Sequence, residues 1–191
     1  MIRKNPKLFV FTGPSGVGKG TVINQFLLNH KNIKLSVSST TRLARKGEEN
    51  GVNYFFVIKE KFEQDIKDEK FLEWAKYNEN YYGTSIEIVE NFMNQGYDVL
   101  LEIEVQGALQ VMKKVPDCVS IFILPPNNEE LEKRLKGRNT EDSQTILNRL
   151  KIAKDELKYA DKYKYQVVND KLENAVEKLS LIYEKEKTVE Y

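Results

Sequence analysis

The stretch GPSGVGKGT, Gly13 to Thr21, follows directly on the apolar run LFVF. Gly13, Gly18 and Lys19 have the spacing G-x-x-x-x-G-K of a phosphate-binding loop. In such a loop, main-chain N–H groups and the positive end of the following helix converge on phosphate oxygens, and the lysine reaches the β and γ phosphates. Gly20 stands where the pattern asks for a Ser or Thr whose hydroxyl meets Mg²⁺. Thr21, one residue on, keeps a hydroxyl on the same helical turn, in reach of the metal directly or through water. The stretch therefore predicts a nucleoside triphosphate site formed by Gly13, Pro14, Ser15, Gly16, Val17, Gly18, Lys19, Gly20 and Thr21. It does not name the reaction, and a tight strand-to-helix turn is the alternative.

Five of the six arginines fall in two short clusters, Arg42 with Arg45, and Arg134 with Arg138 and Arg149, in a chain that otherwise draws its positive charge from lysine. Guanidinium forks bind phosphate in a planar, bidentate way that an ammonium cannot copy. Both clusters are candidate phosphate contacts. For Arg134, pairing with Glu130 or Glu141 on a solvated face is an equal alternative. His30, the single histidine, reads as a surface or helix-cap residue.

These groups need a scaffold. Apolar, β-branched runs at residues 7–12, 98–105, 120–124 and 165–168 lack polar alternation and read as buried strands. Helical periods lie between them: from the glycine loop to His30, then over 84–95, 106–114, 140–160 and 171–186. Strands alternating with helices predict a parallel sheet flanked by helices, with ligands at the carboxyl ends of the strands. Two segments break the rhythm. Residues 36–83 turn polar and aromatic, with strand-like pieces YFFVI and FLEWAKY, and read as an inserted subdomain. Residues 126–150 are charged and poor in large apolar side chains, and read as a mobile cover. The expected core is thus 1–35, 84–125 and 151–191.

With 191 residues, the chain can bury one core. The lone Cys118 excludes an internal disulfide framework and a multi-cysteine zinc site, and points to a reducing, cytoplasmic setting. A net charge of +1 offers no global field for nucleic acid or anionic lipid. No apolar stretch approaches a bilayer span, and MIRKNPKLFVFTG has no small-residue cleavage signal. Neither nucleic acid nor membrane is expected as a partner. Nothing in the residues reads out oligomeric state, a homodimer included.

The G-K-G-T ending resembles the loop of small nucleotide kinases. Beyond it, SVSSTTRLARKGEENGVNYFFV, FLEWAKYNENYYGTS and VLLEIEVQGALQV resemble guanylate kinase along nearly the whole chain. Ser38, Thr41, Arg42, Arg45, Gly47 and Glu48 match one family stretch, and Tyr54, Glu73, Tyr81, Tyr82, Gly83 and Thr84 match its aromatic and acidic elements. The resemblance implies a P-loop nucleoside monophosphate kinase fold, with 36–83 as the GMP-binding insertion and 126–150 as the lid. It implies Mg²⁺-dependent transfer of the ATP γ-phosphoryl group to GMP, and to dGMP, giving GDP and ADP. Arg42, Arg45, Tyr54 and Tyr82 would hold the GMP phosphate, with Glu48 in the same loop. Glu73 would accept both N1–H and the exocyclic amino group of guanine, with Ser38 and Thr84 hydroxyls available for O6 or N7. Lys19, Arg42, Arg138 and Arg149 would stabilise the transferring group, and Arg138 and Asn169 would also line the ATP site. Scaffold modules of the same fold that have lost catalysis, and phosphotransferases for other small phosphates, are the rival readings. A complete phosphate loop opposes the first and Glu73 beside Ser38 and Thr84 opposes the second.

Glu102 and Glu104, at the end of a predicted strand, are candidates for the Mg²⁺ shell or for orienting Arg42; Glu104 is also a candidate GMP contact. The chain departs from the family at Glu104, where aspartate is usual, and at Ala44 and Asn53, where proline and aspartate are common.

Overall fold

The computed structural model describes residues 5–77, 79–136 and 143–188. The chain opens with β1 (Leu8–Thr12), α1 (Lys19–Asn29) and β2 (Ile33–Leu35). A second group follows: β3 (Ser39–Thr40), β4 (Phe55–Phe56), α2 (Lys59–Lys67), β5 (Phe71–Tyr77) and β6 (Asn80–Ser85). The strand-helix alternation then resumes with α3 (Ile86–Asn94), β7 (Asp98–Glu102), α4 (Val105–Lys114) and β8 (Val119–Leu124). Last come α5 (Asn128–Lys136), α6 (Ser143–Leu157), β9 (Tyr165–Val168) and α7 (Leu172–Thr188). A five-stranded sheet has the order β2-β7-β1-β8-β9, and a four-stranded sheet the order β4-β3-β6-β5. In the larger sheet, β2 pairs parallel with β7 and β8 pairs parallel with β9, the arrangement expected of an α/β core flanked by helices. All five residues of β1 are buried, which is why its sequence shows no alternation.

The chain divides into two compact units. One runs to Val10 and resumes over Asn32–Cys118. Its β2–β7 register starts at Ile33 opposite Asp98, and the buried Asp98 accepts the Lys7 N–H at 2.7 Å, fastening the start of β1. The four-stranded sheet belongs to this unit; β5 and β6 run antiparallel from Phe71 opposite Ser85 to Tyr77 opposite Asn80. Phe62 of α2 stacks on Phe71 and Tyr81, with ring centroids 4.3 and 5.3 Å apart.

The other unit holds Phe11–Lys31 and the described residues from Val119 onward. In it, α1 packs on α7, with Phe26, His30 and Tyr183 in mutual ring contact. Leu131 and Leu135 of α5 join Leu150 and Ala153 of α6 in a buried apolar cluster, with Ile146 and Leu157 packed against it.

Several expectations shift. The strand expected over 98–105 ends at Glu102, and α4 begins at Val105. Ile103 and Val105 are buried on either side of that turn, so the apolar run continues through it. Thr84 and Ser85 belong to β6 instead of opening the next helix, because Thr84 pairs across the ladder with Glu73. The sequence shows no signal for α2, in which Phe62 alone is buried among charged residues. Nor is 126–150 merely a polar cover: Leu131 and Leu135 are only 1% exposed, and α6 continues past Leu150 as one helix. Among the described residues, no helix is long and apolar enough to cross a membrane.

Candidate active site

Gly13 to Gly18 form the turn between β1 and α1, and Lys19, Gly20 and Thr21 are the first residues of that helix. Gly18 occupies the N-cap position with φ 91°, a left-handed conformation open to glycine at no steric cost. No side chain caps the helix there. Its first N–H groups thus keep their capacity for an anion, in line with the positive end of the helix dipole. Lys19 Nζ donates to the Gly13 carbonyl at 2.6 Å, so the ammonium is held at the loop. Thr21 is exposed on the first turn of α1.

Side chains distant in sequence brace this loop. Asn169, buried just after β9, donates from Nδ2 to the Val17 carbonyl at 2.8 Å. Arg134 donates to the same carbonyl at 3.3 Å and to the Asn169 carbonyl at 3.0 Å. Its contact with Glu130 is longer, 3.9 Å, so the solvated-face alternative accounts for only part of what Arg134 does. Arg149 of α6 donates to Ser15 Oγ at 2.7 Å. α5 and α6 thus bring two of the lid arginines onto the phosphate loop, one on its main chain and one on a loop hydroxyl. Arg138 lies outside the described residues. His30 is the C-cap of α1, with Nε2 2.9 Å from Ser180 Oγ, a structural position as expected.

In the other unit, Arg42 is an organised fork. Its Nη1 and Nη2 each donate to a Glu48 carboxylate oxygen at 2.9 Å, and Nη1 also meets the Leu43 carbonyl at 2.7 Å. The guanidinium lies 5.4 Å from the Tyr54 ring centroid and 5.8 Å from that of Phe56. Tyr54 and Tyr82 meet edge to face at 5.9 Å. The hydrogen bond from Arg42 holds the Glu48 carboxyl below its ordinary range, with the Arg45 N–H adding to it. Burial pushes the Tyr54 phenol up, and the neighbouring Tyr82 adds to the shift. Glu48 also accepts the Arg45 main-chain N–H at 2.7 Å, so it organises the Arg42–Arg45 loop. The Arg45 side chain is exposed. Of the two family departures in this loop, Asn53 accepts the Glu49 N–H at 2.9 Å and closes a local turn, and Ala44 is exposed.

Glu73 is the unusual acid of this unit. It is 4% exposed on β5, and Thr84 Oγ1 donates to its Oε1 at 2.6 Å. Burial pushes its carboxyl up to about 6, against the lowering effect of Thr84. The Thr84 hydroxyl, expected to face guanine, donates its proton to Glu73 and orients that carboxylate. Ser38 precedes β3, half-buried, and its carbonyl accepts the Phe55 N–H at 2.9 Å. Glu102 ends β7 half-buried, whereas Glu104 is the exposed N-cap residue of α4 and its side chain makes no cap bond. Among the described residues, no three His, Cys, Asp or Glu side chains gather as a metal cage. Mg²⁺ brought by a nucleotide needs none, since it keeps several waters and takes much of its coordination from phosphate oxygens.

A phosphate loop and a buried base-sized acid, each with its arginines, point to one family, and the model for guanylate kinase matches residues 5–186. The chain belongs to the guanylate kinase family. It is 49% identical to guanylate kinase from Caldanaerobacter subterraneus over 97% of its own length and 90% of that protein. The same figures hold for guanylate kinase from Oceanobacillus iheyensis. The crystal structure of guanylate kinase from Anaplasma phagocytophilum superposes with a TM-score of 0.81 at 35% identity, covering 99% of this chain and 90% of that one. Shikimate kinase from Bacteroides thetaiotaomicron, with a TM-score of 0.52 at 14% identity over 93% of this chain and 98% of that one, shares the fold alone.

For a guanylate kinase family chain, the bracing role of Arg134 and Asn169 is not readable from motifs, because the braces end on the main-chain carbonyls of Val17 and Asn169.

Proposed function

We propose that this protein is a guanylate kinase that transfers the γ-phosphoryl group of Mg²⁺·ATP to GMP, and to dGMP, giving ADP and the nucleoside diphosphate, in the cytoplasm. Its phosphate loop supports the donor half. The N–H groups of Gly13 to Thr21 and Lys19 would take the triphosphate, and the Thr21 hydroxyl would face the metal, which neutralises charge on the β and γ phosphates when bound. Arg149 on Ser15, together with Arg138, would add positive charge where phosphoryl transfer develops negative charge. The loop would be kept in shape by Arg134 and Asn169.

The observation that carries the acceptor assignment is the buried Glu73 carboxylate, fixed by Thr84 in the same unit as the Arg42 fork and the Tyr54–Tyr82 pair. Guanine offers two adjacent donors, N1–H and the exocyclic amine, which one carboxylate accepts together. Adenine would set an acceptor, N1, against that acid, and an unpaired buried polar group is how a site rejects an analogue strongly. Arg42 and Arg45, with the hydroxyls of Tyr54 and Tyr82, would hold the dianionic phosphate. Binding there requires Glu48 to share its fork with the incoming phosphate.

A coupled ADP-release assay over GMP, dGMP, AMP, CMP and UMP tests this reading. GMP and dGMP turning over far faster than the others is expected, and equal or greater turnover with AMP would overturn the guanine assignment.

A further inference from the structure

Glu73 sits on β5, an edge strand of the four-stranded sheet. β6 pairs with one side of it, and the main-chain groups of the other side need partners. α4 supplies them. The Gln110 side chain donates to the Trp74 carbonyl at 2.7 Å and accepts the Trp74 N–H at 3.3 Å, so its amide continues the ladder by one rung. Lys114 Nζ donates to the Leu72 carbonyl at 2.6 Å and to the Phe71 carbonyl at 3.3 Å. Gly107, one turn before Gln110 on the same helix face, lies against the Glu73 carboxylate. A β-carbon at position 107 would stand 2.9 Å from Glu73 Cδ and collide with Oε2. Glycine in a helix interior costs about 0.5–1 kcal/mol relative to alanine, and α4 carries one where this carboxylate fills the space.

We propose that the Gly107–Gln110–Lys114 face of α4 is the positioning element for the guanine-reading carboxylate, with Gly107 setting its depth and Gln110 its register along β5. The inference rests on the reading of Glu73 as the guanine acceptor. Gly107 touches no substrate in this scheme and acts through Glu73. A methyl group at 107 would force the carboxylate off the line that meets N1–H and the amine together. A side chain shorter by one methylene at 73 would make room for that methyl.

The test is steady-state kinetics with GMP and ATP varied separately, plus thermal melting. The proteins are wild type, Glu73→Gln, Glu73→Asp, Gly107→Ala and the Gly107→Ala/Glu73→Asp double variant. Gly107→Ala is expected to raise KM for GMP on the order of 10²-fold, the scale of a 1 Å misplacement, with KM for ATP within about twofold of wild type. In the Glu73→Asp background the same alanine is expected to change KM for GMP by less than about threefold, because the colliding partner has withdrawn. An unchanged KM for GMP in Gly107→Ala, or an equal rise in both backgrounds, would overturn the proposal. If Gly107→Ala fails to fold, a folded double variant supports the clash with Glu73, and an unfolded one overturns it. Glu73→Gln separates the two layers. Loss of GMP-over-AMP preference in that variant beside an unaffected Gly107→Ala removes only the role of Gly107; an intact preference in it removes the reading of Glu73 beneath.

Discussion

The two candidate half-sites would recognise their targets by different physics. The phosphate loop presents main-chain N–H groups on a turn kept in shape by Asn169 and Arg134, whose hydrogen bonds end on the carbonyls of Val17 and Asn169. Glu73 presents a side chain, buried and oriented by Thr84. Main-chain donors are there whatever the side chains, so the loop as proposed would accept the phosphates of any nucleoside triphosphate. A buried carboxylate that must remain ionised without a cationic hydrogen-bond partner is unfavourable for the fold, yet on the proposed reading it would discriminate one base from another. On that reading generality would come from backbone, and selectivity from a group whose burial works against stability.

The strongest way to break this contrast is Lys19→Met. Loss of the ammonium should lower kcat by at least about 10³-fold, the upper range for removing one electrostatic contact, while GMP binding measured by calorimetry stays within about twofold. Retained turnover would mean that the loop is not the donor site.

Next in size is Glu73→Gln, for which two opposite effects are expected. The preference for GMP over AMP should fall on the order of 10²-fold, since the amide offers one acceptor where the carboxylate offers two. Stability should rise. The folded carboxyl titrates at about 6 against an ordinary 4.5, so protonation favours the folded state. The stability linked to this group is present below about pH 4.5 and is lost as pH rises through about 6. At about 1.4 kcal/mol per pH unit, the ionised acid costs the fold about 2 kcal/mol at pH 7, which the neutral amide recovers. Denaturant unfolding at pH 7 measures the gain; a glutamine variant less stable than wild type would mean that the ionised acid is not a burden on the fold.

The same titration sharpens the comparison through pH. Wild-type KM for GMP should rise about fivefold from pH 6 to pH 5 as Glu73 takes up its proton, beyond the change due to the GMP phosphate itself. Glu73→Gln should show only the phosphate share. Identical acid limbs in the two proteins would detach Glu73 from the base.

The smallest effect is expected at Arg134. Arg134→Ala removes a brace and not a phosphate contact, so KM for ATP should rise by about three- to tenfold with kcat nearly unchanged and a loss of about 1–2 kcal/mol in stability. A kcat loss comparable to that of Lys19→Met would place Arg134 on the transferring phosphate.

Much of the fold was legible in the residues. β1 and β8 are nearly all apolar and buried, and α7 follows its period from Leu172 onward, whereas β9, expected as a buried strand, carries Gln166 and buries only Val167. What stayed hidden has physical causes. α2 folds on one buried ring, too little apolar pattern to register. The end of β7 is masked because Ile103 and Val105 are buried on both sides of the strand-to-helix turn. Leu131 and Leu135 stand in a charged segment, and the apolar face that covers them comes from α6. In the candidate site, the glycines, Lys19 and the Arg42–Arg45 pair stood out by their own type and spacing, and Glu73 by the family resemblance.

By itself, then, the sequence determined the phosphate loop, the strand-helix alternation, the clustering of scarce arginines and the family, because glycine placement, apolar periodicity and motif spacing are local properties. Only the tertiary structure decided what surrounds each group. It directs the Thr84 hydroxyl to Glu73, sets the Arg134 fork on the Val17 carbonyl, and brings Gly107 against the carboxylate from 34 positions further along the chain. Orientation, burial and the shifted titration of an acid depend on neighbours remote in sequence, and those neighbours exist only once the chain has packed.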